Sequence, residues 1–133
     1  MSTIAVENRR LSNWLKWELA VEVAYCRKEV VVNDAAADLV TGTVLGKVTA
    51  TGKYKVSVET AVDGSEVPAG ILIYDTSVAA ATDKQVAILA KGPAIVGAKG
   101  IILDDSFDDD AKVAAAHAAL EAVGINVVAQ IGV

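Results

Sequence analysis

Short β-branched runs, each closed by turn residues, dominate this chain from Lys28 to about Val96, and they limit its fold more than any other feature. Glu29-Val30-Val31-Val32 stops at Asn33-Asp34, a turn pair. Residues 43–49 form the next run, Ala50-Thr51-Gly52-Lys53 breaks it, and residues 54–58 alternate after the break. The pattern predicts a hairpin with Gly52 at a positive φ. Asp63-Gly64 is a second turn signal, followed by Pro68 and the apolar run 69–74. Lys91-Gly92-Pro93 then turns residues 85–90 into 94–96. Strands this short, roughly 10–15 residues apart and with a glycine in most gaps, predict a small barrel or sandwich.

Composition agrees with one such domain. The chain has 133 residues, 53% hydrophobic and 22% charged, which excludes global disorder. Aromatics are only 5%, so the core is built from small and β-branched side chains. The net charge of −5 and pI near 4.7 disfavour nucleic acid and anionic membranes as partners, because both call for a basic surface. Cys26 is the sole cysteine, so no intrachain disulfide forms. The start of the chain lacks the apolar stretch of a signal peptide, and no run approaches the roughly 18 apolar residues of a bilayer span.

The two ends read differently. In residues 15–25, Leu15, Trp17, Leu19, Val21, Val23 and Tyr25 alternate with Lys16, Glu18, Ala20, Glu22, Ala24 and Cys26. Such alternation puts the two sets on opposite faces of an extended strand. Leu11, Trp14 and Leu15 also fit a helix, but the alternation runs longer. This apolar face either folds back into the domain, with Trp17 in its core, or adds a strand to a neighbouring chain with Trp14 and Trp17 as anchors. At the other end, residues 101–103 are a strand or its stub, and an Ala-rich stretch at about 108–123 predicts a helix. Val113, His117, Leu120 and Val123 mark its buried face, Asp108, Asp109 and Asp110 its first turn, and Gly124 its end. Residues 125–128 read as a last strand.

Polar motifs give little chemistry. The run Asp104–Asp110 offers carboxylates for Ca²⁺, yet an EF-hand register would place Asp109 where glycine is needed. A helix N-cap accounts for it better. His117 has no nucleophile or charge partner in a nearby motif. Cys26, beside Arg27 and Lys28, has no histidine motif with it. The glycines form neither GxGxxG nor a Walker loop, and CxxC, HExxH and GxSxG do not occur. The expectation is a chain with no catalytic residue, no metal and no cofactor.

Thr41-Gly42-Thr43-Val44-Leu45-Gly46-Lys47-Val48 and Thr51-Gly52-Lys53-Tyr54, then Asp63-Gly64-Ser65 through Pro68-Ala69-Gly70-Ile71-Leu72, follow one another in a set order. Val86-Ala87-Ile88-Leu89-Ala90-Lys91-Gly92 and Ala122-Val123-Gly124-Ile125-Asn126-Val127 complete it. In order and spacing, residues 27–131 resemble the phage head decoration protein family, which includes the lambda capsid-stabilising protein. The resemblance implies a mainly β chain with a small α/β part: a compact barrel- or tulip-like domain with one C-terminal helix and an extended N-terminal arm. It implies an arm at 1–27 that pairs with strands of the major capsid protein, and a domain at 28–133. The capsid-binding residues would be Leu11, Trp14, Leu15, Trp17, Leu19 and Val21. It further implies a homotrimer on the outside of the expanded capsid, at three-fold and quasi-three-fold positions, holding the shell against DNA pressure. Host cytoplasm during assembly and then the virion surface would be its locations, with neither nucleic acid nor membrane as partner. The alternatives are a tail-tube or head-completion protein, and a Ca²⁺- or ligand-binding β module.

Overall fold

The structure is a computed structural model and describes residues 14–20, 25–34, 37–79, 82–98 and 100–128. The strands are β1 (Leu15–Glu18), β2 (Arg27–Val32), β3 (Ala37–Leu39), β4 (Val44–Lys47), β5 (Tyr54–Val56) and β6 (Pro68–Leu72). Then come β7 (Thr76–Val78), β8 (Lys84–Leu89), β9 (Ala94–Gly97), the helix α1 (Asp110–Ala122) and β10 (Ile125–Val128). A closed barrel runs β2-β5-β4-β6-β8, a three-stranded sheet runs β1-β9-β10, and β3 and β7 pair as a ribbon. The glycine-punctuated runs thus make a barrel, with a single helix among the described residues, near the C-terminus.

Period-two geometry sorts the core into two layers. Leu45, Leu72 and Ile88 point into the barrel and meet Val30, Val32 and Tyr54. Their sequence neighbours Val44, Ile71 and Leu89 point outward and meet Trp14, Val96, Leu120 and Ile125. Strands β4, β6 and β8 are therefore covered on both faces, which is why they read as continuous apolar runs rather than alternating ones. At about 25 cal/mol per Å² of apolar surface, each fully buried Leu or Ile stabilises the fold by roughly 1.5–3 kcal/mol.

Local signals set most element ends. Gly52 has φ +74° in the β4–β5 hairpin, as its spacing predicts. Asp109 caps α1: its backbone is extended (φ −139°, ψ 167°) and its carboxylate accepts from the Lys112 N–H. Gly124, at φ +92°, follows the helix and donates its N–H to the Glu121 carbonyl. It also lies flat on Gly92, where a Cβ would stand 1.7 Å from the Gly124 carbonyl oxygen. The helix is shorter than the predicted 108–123. It buries Ala116 and Leu120, while Val113 and His117 are half-buried and Val123 is exposed. Residues 101–103 contribute only a bridge between Thr43 and Ile102.

Part of the predicted N-terminal arm is described. Residues 14–20 belong to the folded domain: β1 pairs antiparallel with β9, and Trp14 is fully buried in the outer core. The rest of the predicted arm, residues 1–13 and 21–24, lies outside the described residues. The alternation fails inside β1. A register shift between Leu15 and Trp17 leaves Trp17 48% exposed and turns Glu18 inward. Trp14, rather than Trp17, is the tryptophan of the core.

Candidate functional site

β1 is an edge of its sheet, and it is held to the barrel by polar contacts at both ends. At its start, Trp14 Nε1 donates to Thr41 Oγ1 at 2.8 Å, and the Thr41 hydroxyl donates to the Ile73 carbonyl at 2.6 Å. The Gly97 N–H donates to the Trp14 carbonyl, so an aromatic too large for a gap in this small-residue core is fixed by backbone and side chain together. At its end, the Glu18 carboxylate, 3% exposed, accepts from Arg27 Nη2 at 2.5 Å and from Nε at 3.1 Å. Such a forked pair is stronger than a point contact, because two parallel N–H groups match two oxygens. Glu18 raises the Arg27 guanidinium above its ordinary value against the opposing effect of burial, with a smaller pull from Tyr74. The Leu19 N–H donates to the Pro93 carbonyl, and Cys26 Sγ lies 3.6 Å and 3.5 Å from the Leu19 and Pro93 carbonyls.

Among the described strands β1 has β9 on one side only, and it leaves apolar side chains in solvent. Trp17 is 48% exposed, Leu19 is exposed, and Lys16 stands between Leu15 and Trp17. Tyr25 is exposed too, with Lys91 Nζ 4.2 Å above its ring. An exposed edge with aromatic side chains can accept another strand, whose main chain supplies affinity while the aromatics supply anchors. Of the residues expected to bind, Trp17 and Leu19 share this surface, Leu15 is half-buried against the core, and Trp14 is inside it. Leu11 and Val21 lie outside the described residues.

The other polar candidates hold the fold together. Asp104 accepts from the Ser106 N–H, Asp108 pairs with Lys112 at 3.1 Å, and Asp109 is the helix cap. No group of three or more His, Cys, Asp or Glu is arranged to hold a metal among the described residues. Cys26 is buried and free, and His117 sits half-buried on α1. Sequence reasoning missed the Glu18–Arg27 pair and the Thr41 acceptor, since nothing local links partners 9 and 27 residues apart.

The fold defines a class first: a small, mainly β module built on a closed five-stranded barrel. The model of the bacteriophage lambda head decoration protein D family matches residues 4–125, and the chain belongs to that family. Among curated proteins, none matches. Membership gives the chain a structural role on a phage head, with the capsid as binding partner and the virion as its place.

Proposed function

We propose that the chain binds as a homotrimer to the outer surface of the expanded capsid, at three-fold and quasi-three-fold positions, and holds the shell against internal DNA pressure. It performs no catalysis and needs no cofactor. It waits in the host cytoplasm until the shell expands. The observation that carries this reading is the exposed edge of β1, with Trp17 and Leu19 beside it, on a strand locked to the barrel by Trp14 and Glu18. Leu11, which precedes β1 in the sequence, belongs to the same apolar set. Val21, a few residues beyond β1, completes the apolar set.

The mechanism is mechanical. A strand of the major capsid protein adds to β1, and the rigid barrel transmits load between neighbouring capsid subunits. In a trimer three such contacts must break together. Each bound arm holds the others at high effective concentration, so weak single contacts sum to a strong clamp. A core of small β-branched side chains packed on both sheet faces resists shear better than long flexible ones would.

Co-sedimentation of the full chain with empty heads tests this. Binding is expected to expanded heads and not to unexpanded ones, and Trp17→Ala with Leu19→Ala should reduce it at least tenfold. A chain that stays in the supernatant with expanded heads overturns the proposal.

A further inference from the structure

The barrel closes between β2 and β5 through one register pair, Val32 with Tyr54. Beside that seam lies an open cavity of about 460 Å³, lined by Tyr25, Lys28, Tyr54, Ala69, Ala90 and Lys91. Lys28 and Lys91 are exposed, and Lys47 at the end of β4 is exposed in the adjoining depression. None of these three lysines has an ion pair with a described residue. Arg27, the other cation at the cavity, is matched by Glu18. No carboxylate lines the cavity among the described residues. In a chain of net charge −5, this is positive charge gathered in one place, with no described carboxylate against it and only the Tyr25 ring under Lys91.

The opposite sign gathers next to it. Asp105, Asp108, Asp109 and Asp110 are exposed at the start of α1, and Glu59, Glu66 and Asp109 rim the groove along the helix. Lys112 is the cation among them, bonded to Asp108 and 3.8 Å from Glu59. Val67, 53% exposed, lines both this acidic groove and the depression that holds Lys47 and Ala69.

Resting on the homotrimer reading above, we propose that copies associate head to tail, the lysine-lined seam of one barrel receiving the acidic shoulder of the next. A contact between two different patches is heterologous and closes into a ring when its rotation allows. Adjoining patches place the rotation axis beside Val67, which the ring then buries. Complementary charge fixes the register in which the two patches meet.

The test is the solution mass of the full chain by sedimentation equilibrium. Raising salt from about 0.01 M to about 1 M shortens the screening length from about 30 Å to about 3 Å, and is expected to weaken association at least tenfold. Lys28→Glu/Lys47→Glu/Lys91→Glu should give a monomer, as should Asp105→Lys/Asp110→Lys, and a chain carrying all five changes should associate again. If a trimer forms but ignores both salt and the lysine reversals, this interface is wrong and the trimer reading stands. If the unaltered chain is monomeric at every concentration and salt, the trimer reading itself fails. All the substituted residues are exposed, so folding of each variant, checked by circular dichroism, should be unchanged.

Discussion

Removing the Trp14 side chain asks directly whether the N-terminal strand belongs to the free protein or only to its complex. Trp14 is fully buried, touches the outer core, and donates a 2.8 Å hydrogen bond to Thr41. Trp14→Ala should therefore cost about 3–5 kcal/mol, the range for an aromatic truncated in a packed core. A domain of this size holds about 5–15 kcal/mol in total, so the change removes a large share. With a urea slope of about 2 kcal/mol per M, the unfolding midpoint should fall by roughly 2 M. Trp17→Ala is the control: at 48% exposure it should move stability by about 0.5 kcal/mol or less. The assay is equilibrium urea unfolding followed by circular dichroism, because either change alters the fluorescence signal. A Trp14→Ala loss under about 1 kcal/mol, with the slope unchanged, would refute the reasoning. Residues 14–20 would then be loose in solution, and the arm would extend to residue 27 after all.

Three further outcomes follow from the same geometry. Asp109→Ala removes the helix cap and should cost about 1 kcal/mol, lowering the melting temperature by several degrees, whereas Asp109→Asn should keep most of the stability. Gly92→Ala drives a Cβ onto the Gly124 backbone and should reduce thermal stability more than Gly52→Ala, where the cost is the positive φ alone, about 1–2 kcal/mol. The Ser65 hydroxyl and then its N–H hold the Asp63 carboxyl below its ordinary value of 3.8, with Lys55 adding a weaker pull. A depressed carboxyl contributes stability in full above its ordinary value, and that contribution is lost as pH falls through the lowered one. NMR titration should show Asp63 returning toward the ordinary value in Ser65→Ala, and the stability difference between the two chains should vanish in acid.

Much of the fold was legible residue by residue. The barrel strands, the Gly52 hairpin, the helix with its Gly124 stop and the last strand all rest on local physics: β-branched runs, positive-φ glycines and a capping carboxylate. These signals need no knowledge of what lies across the molecule. The helix face shows where they weaken: an Ala-rich helix carries little apolar contrast, so Ala116 rather than Val113 or His117 turns inward beside Leu120. The β3–β7 ribbon pairs residues 37–39 with 76–78, too short and too far apart for either run to announce the other.

The candidate site was the least legible part, and the reason is the same. Alternation in residues 15–25 predicts an extended strand; β1 takes up Leu15–Glu18 of it, Leu19 and Ala20 turn, and nothing in the alternation says where β1 docks. Its position comes from partners elsewhere in the chain: Arg27 draws Glu18 inward, Thr41 receives the Trp14 N–H, and β9 supplies the ladder. A one-residue shift between Leu15 and Trp17 then exchanges the faces that strict period two assigns. Sequence alone determined that this chain makes a small glycine-punctuated barrel or sandwich with a helix near its C-terminus, and the structure closes it as a barrel. Only the tertiary structure decided which tryptophan is core and which is surface, because burial is a property of what packs against a side chain and not of the side chain's own neighbours.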